Sequence, residues 1–98
     1  MLYDVRFATS SIEKKFNKYL LKIPGETQRK IIQDVKNLAQ NPRPFAFKKI
    51  KPPIELFQFV AQYRIRIGDY RVLYDIDDTQ RIVWIFAARK RNEGTYKH

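Results

Sequence analysis

The chain has no cysteine, and its one histidine, His98, is the last of its 98 residues. Without thiols there is no disulfide framework and no thiolate zinc site. Without an internal imidazole, a Ser-His-Asp triad, a buried histidine base and a His-ligated metal are all disfavoured. The sequence has no basic n-region followed by an apolar run, so no secretory signal is expected. No apolar run approaches the ~20 residues that cross a bilayer. Acidic residues are also scarce: ten Asp and Glu stand against twenty Lys and Arg, a formal net charge of +10. The expectation is a cytoplasmic protein with no cofactor, no metal and no membrane attachment.

What is present is a globular composition. Thirteen of the fourteen aromatic residues are Tyr or Phe, and 44% of the chain is hydrophobic. That suffices for one core, and the length suits a single domain over residues 1–98. A positive field on so small a body calls for a polyanionic partner. Nucleic acid is the first candidate, followed by an acidic protein or an anionic membrane surface.

The most informative stretch is Tyr63-Arg64-Ile65-Arg66-Ile67-Gly68-Asp69-Tyr70-Arg71-Val72-Leu73-Tyr74. It alternates with period two, breaks at Gly68-Asp69 and resumes, the pattern of two half-buried strands joined by a two-residue loop. Glycine in the first loop position suits a type II′ turn. The turn then sets Ile67 against Tyr70, Arg66 against Arg71, Ile65 against Val72 and Arg64 against Leu73. Tyr63, Ile65, Ile67, Tyr70, Val72 and Tyr74 share one face, and Arg64, Arg66 and Arg71 share the other. Like charges directly opposed cost ~0.2–1 kcal/mol. The trio either forms a site for an anion, whose oxygens match guanidinium forks, or solvates the open face of an antiparallel sheet.

Around this hairpin the other elements fall in order. Leu2 to Phe7 alternates as a first strand. Ser10 with Glu13 has the capping-box spacing of a helix start, and Ile12, Phe16, Tyr19, Leu20 and Ile23 form its apolar stripe. Pro24-Gly25 breaks that helix. A second begins near Glu26 or Thr27, buries Ile31, Ile32, Val35, Leu38 and Ala39, and ends by Asn41. The two make an antiparallel helical hairpin, and their many lysines read individually as solvated faces. Residues 45–51 form a short edge strand or an extended loop that halts at Pro52-Pro53. Residues 55–61 break strict alternation, which allows a bulge there. Ile82 to Ala88 is a continuous apolar run fit for a central strand covered on both faces. The expected fold is α+β: an N-terminal strand, a helical hairpin, then a three- to four-stranded antiparallel sheet with the helices on one face.

After the last strand the chain turns basic, with Arg89, Lys90 and Arg91, and Tyr96 follows on a stretch without apolar pattern. Cations that track phosphates beside an aromatic that stacks on an unpaired base are what single-stranded RNA recognition requires. Tyr96 either stacks in this way or packs against the sheet edge.

The element order, the Tyr63–Tyr74 block and the basic stretch before Thr95-Tyr96 together resemble the RelE/ParE superfamily of toxin–antitoxin toxins over nearly the whole chain. The resemblance implies a small toxin neutralised by a cognate antitoxin that is acidic or carries an acidic segment. In the RelE branch it implies a metal-independent endoribonuclease that cleaves mRNA on the ribosome, in the A site. There a ribose 2′-OH attacks the adjacent phosphate, leaving a 2′,3′-cyclic phosphate and a 5′-OH. Matched residue by residue, the family's catalytic positions fall on Arg64, Arg66, Arg71, Lys90 and Tyr96, with Arg89 and Arg91 as further RNA-binding residues and alternatives to Lys90. The best-known RelE members carry lysines where this chain has Arg64 and Arg66. Since arginine effectively cannot give up its proton, the implied role here is electrostatic and positional. Asp75, on the arginine face by parity, and Glu93 are the nearest carboxylates in sequence. The ParE branch shares the fold but poisons DNA gyrase, and a non-catalytic RNA-binding module is a third reading.

Overall fold

The computed structural model describes residues 2–56 and 58–90. Among them the elements run β1 (Asp4–Phe7), α1 (Ser10–Leu20), α2 (Gly25–Asn37), β2 (Phe47–Leu56), β3 (Phe59–Ile67), β4 (Tyr70–Asp77) and β5 (Ile82–Lys90). One five-stranded sheet has the order β1-β5-β4-β3-β2. β1 pairs with β5 in parallel, and the other three pairings are antiparallel. The expected α+β architecture therefore holds, with β1 enlarging the antiparallel sheet to five strands. The run from Ile82 to Ala88 is an interior strand, β5, but β4 occupies the middle of the sheet.

The first helix is capped one residue earlier than the capping-box spacing suggests. Thr9, in extended conformation, accepts the Ile12 N–H on its side-chain oxygen at 3.0 Å. Thr9 thereby satisfies one of the orphan donors of the first turn. Ile12, Phe16, Leu20 and the following Ile23 are buried as their spacing requires. In α2, Ile31 and Leu38 are fully buried, but Ile32 is exposed, because one residue beyond Ile31 the helix has already turned its side chain away from the sheet.

The helices cover one sheet face. Phe16, Leu20, Ile23, Ile31 and Leu38 pack against Ile65, Ile67, Val72, Tyr74, Val83, Ile85 and Ala88. This is the face assigned to Tyr, Ile and Val in the hairpin. A second, smaller core brings Ile12, from the start of α1, together with Ile54, Ala61, Leu73 and Phe86. β2 does not halt at Pro52-Pro53 but runs through them to Leu56, with a register shift between Lys49 and Ile54. An edge strand tolerates proline because one of its rows of N–H groups has no ladder partner to lose.

The hairpin register is as the turn chemistry demands: Arg64↔Leu73, Ile65↔Val72, Arg66↔Arg71 and Ile67↔Tyr70. Gly68 has φ +59°, a conformation that suits glycine, as the II′ turn requires.

Candidate anion-binding site on the arginine face

Two cross-strand rows define the site. In the first, Arg66 on β3 faces Arg71 on β4, and Arg71 in turn faces Arg89 on β5. Neighbouring strands lie about 4.8 Å apart, so these three backbone positions span only ~10 Å. In the second row, Lys48 on β2 faces Arg64, and Arg64 faces Leu73. Arg64 is two residues from Arg66 on β3, hence on the same face. The result is a compact patch of four arginine positions and a lysine on the side of the sheet opposite the main core, with Arg89 at its border also lining a cavity with Lys15 and Tyr19 of α1.

Arg89 reaches this patch because of a β-bulge. Leu73 pairs with Ala87 but Tyr74 pairs with Ile85, which leaves Phe86 as an extra residue in β5. With unbroken pairing, Arg71 would face Ala88, and Arg89 would lie opposite Tyr70 on the helix side. The inserted residue reverses the alternation beyond it. Phe86 itself is buried in the smaller core.

The same register sets Lys90 opposite Tyr70, on the helix side of the sheet and away from the arginines. Of the two described basic residues that end β5, Arg89 is the one brought to Arg71. Arg91, Glu93 and Tyr96 lie outside the described residues.

The irregular middle of β2 walls the patch on one side. Ile50, Lys51, Pro52, Pro53 and Ile54 enclose a cavity of about 290 Å³ with Arg64 and Arg71. Beside it, Lys48, Arg64 and Arg66 share a more open depression of about 480 Å³ with residues 45–47 and Gly68. Arg66 and Arg89 form no ion pair with any described residue, and Arg64 donates a long hydrogen bond of 3.5 Å to the Ala46 carbonyl. Asp75, on this face by parity, accepts from the Ile76 N–H at 2.9 Å and from Gln62 Nε2 at 3.4 Å.

Chemically, such a patch can hold an anion through charge-assisted bonds from several guanidinium forks at once. No group of three or more His, Cys, Asp or Glu that could hold a metal ion occurs among the described residues. Nothing in the local sequence of residues 45–51 marks Lys48 as part of the patch. Only the long-range β2–β3 register shows that it faces Arg64.

A helical pair packed on a five-stranded sheet, with arginine positions clustered across three of its strands, defines a small α+β domain with a concentrated basic patch. The chain belongs to the family of ParE toxins of type II toxin–antitoxin systems, whose family model, ParE toxin of type II toxin-antitoxin system, parDE, matches residues 11–94. A relative from Methanocaldococcus jannaschii bearing the name RelE1 is 33% identical over 90 residues, covering 89% of this chain and 92% of the relative. Among solved structures, the archaeal RelE–RelB complex from Pyrococcus horikoshii is similar, with a TM-score of 0.69 and 24% identity over 95% of this chain and 99% of that one. The toxin–antitoxin complex RelBE2 from Mycobacterium tuberculosis is also similar, with a TM-score of 0.65 and 25% identity over 93% and 100% of the two chains. The resemblance read from the residues is thus met: this is a toxin of the RelE/ParE superfamily.

Proposed function

We propose that this toxin is an endoribonuclease that cleaves mRNA in the ribosomal A site without a metal ion. The observation that carries the reading is the row Arg66–Arg71–Arg89, three arginine positions paired across neighbouring strands with Arg64 beside them. In the reaction, the ribose 2′-oxygen attacks the adjacent phosphorus and the 5′-oxygen leaves, giving a 2′,3′-cyclic phosphate and a 5′-OH. Negative charge grows on the phosphorane oxygens, and preorganised cations stabilise it where it develops. Arg64 and Arg71 hold the phosphate, Arg66 lies near the 2′-OH, and Arg89 rather than Lys90 meets the leaving oxygen. Tyr96 stacks on an mRNA base, and the ribosome supplies much of the in-line geometry. Neutralisation comes from a cognate antitoxin with an acidic segment laid over the basic face. The solved complexes of similar RelE-type proteins with their antitoxins support that partner.

The test is primer extension on a defined message with programmed ribosomes, with free mRNA and a gyrase supercoiling assay run in parallel. Cleavage within the A-site codon, abolished by Arg64→Ala, Arg66→Ala and Arg71→Ala in folded protein, is the expected result. Full cleavage by all three variants would sink the assignment. A second reading, inhibition of DNA gyrase, is favoured by the ParE family match over residues 11–94. Intact mRNA with inhibited supercoiling would select it.

A further inference from the structure

We infer that Phe45 is a stacking platform for an unpaired RNA base at the border of the arginine face. The inference rests on the nuclease reading only in laying RNA along that face.

Phe45 is fully exposed to solvent. A lone exposed hydrophobe is ordinary, but the loop that presents this one is clamped at several points. Pro42 and Pro44 on either side of Arg43 restrict the backbone. The buried Tyr74 hydroxyl donates to the Pro42 carbonyl at 2.7 Å. The Arg43 guanidinium grips the Asp78 carboxylate with two bonds, of 3.2 and 2.7 Å, and lies 5.9 Å from the centre of the Tyr63 ring. Beyond Phe45, the Phe47 N–H donates to the Pro44 carbonyl at 2.9 Å, which closes the turn. These anchors hold the backbone on both sides of an aromatic ring that itself touches water. A rigid loop loses little entropy when its side chain engages a ligand, so it is preorganised for contact.

The surroundings select the ligand. Phe45 lines the open depression of about 480 Å³ together with Lys48, Arg64 and Arg66. That volume lies in the usual range for ligand sites. On its other side Phe45 borders a cavity with Asp34, Asn37, Pro44 and Ile65 among its lining, so it is the depression shared with Lys48, Arg64 and Arg66 that sets cations beside the ring. An aromatic beside a phosphate-binding track matches the alternation of base and phosphate in a single strand. Every base has a π-face, so the platform confers affinity without strong base preference.

The experiment measures binding of a short single-stranded 2′-O-methyl oligonucleotide, which lacks the attacking hydroxyl, to the full chain across a series of salt concentrations. Phe45→Ala is expected to weaken binding roughly 5- to 150-fold, the range of one lost base stack. Phe45→Trp should restore it. The salt slope should be unchanged in Phe45→Ala but shallower in Arg66→Ala, since only the latter removes a phosphate contact. An abasic site that costs wild type the same factor and costs Phe45→Ala nothing would identify the stacked base. Equal binding by wild type and Phe45→Ala would overturn the inference, as would no binding by wild type. A Glu-rich decapeptide bound more tightly than the oligonucleotide and lost with Phe45→Ala would also overturn it, assigning the ring to a protein partner. Loss of A-site cleavage in the primer-extension assay with Phe45-dependent binding intact would overturn the nuclease reading alone.

Discussion

Arg66, Arg71 and Arg89 stand opposite one another on three neighbouring strands. Each such like-charge pair opposes folding by ~0.2–1 kcal/mol. Arg66 is the exposed end of the row, so Arg66→Gln should relieve repulsion with little loss of packing. Thermal unfolding of the variant is expected a few degrees higher than wild type, while A-site cleavage is lost. A lower melting temperature would mean that the arginines are held by contacts that outweigh their repulsion. Stability given up to place charge is a common feature of functional sites. Arg64, Arg66 and Arg71 were legible in the sequence because one two-residue turn relates their positions. Arg89 was not separable from Lys90 and Arg91. Its side of the sheet depends on Phe86, an extra residue that the apolar run from Ile82 to Ala88 conceals.

The β3–β4 hairpin and the clamp around the loop at residues 42–46 carry the next scale. At Gly68, with φ +59°, an added Cβ would meet nothing within 4 Å, so Gly68→Ala costs only the backbone term. That term is ~1–2 kcal/mol for an L-residue in the left-handed region. Denaturant unfolding should show a loss of that size with an unchanged m-value, and a loss above ~3 kcal/mol would imply a rearranged turn. In the clamp, the hydrogen bond from Arg43, joined by one from Tyr3, lowers the Asp78 carboxyl from its ordinary 3.8 to about 2. Its folded-state pKa is depressed, so its contribution is present above the unfolded value and disappears as the carboxylate protonates. Stability should therefore fall between pH 3.8 and about 2, and Asp78→Asn should remove that part of the pH dependence. Acid titration followed by circular dichroism checks it, and an identical profile in the variant would contradict it. This clamp joins residues 35 apart in sequence. Neither Arg43 nor Asp78 carries a local signal that names the other.

Over the whole molecule, the net charge of +10 overstates the charge gathered on the arginine face. The lysines of α1 and α2 belong to the helical layer, Lys15 alone sharing a cavity with Arg89, whereas Lys48, Arg64, Arg66, Arg71 and Arg89 are neighbours in the strand register. Five phosphate contacts predict a slope of log K against log salt of roughly −3.5 for a single strand, against about −7 if ten charges acted. Anisotropy titrations over a range of salt would decide, and a slope near the larger figure would bring the helical lysines into the interface. The α+β class, the helical hairpin and the face assigned to the helices were all legible, because each rests on local periodicity. The five-strand order was not, since parallel pairing of β1 with β5 joins opposite ends of the chain.

The sequence by itself determined the β3–β4 register and the segregation of arginine from apolar side chains. Both follow from period-two alternation and a turn that only glycine suits, and they involve residues a few positions apart. Tertiary structure alone decided that Arg89 rather than Lys90 joins Arg71, that Lys48 stands beside Arg64, and that Phe45 is held facing solvent. Each depends on which residue of a distant strand or loop lies opposite. That choice is made by the burial of whole faces and by one bulge, neither of which leaves a mark on the neighbouring sequence.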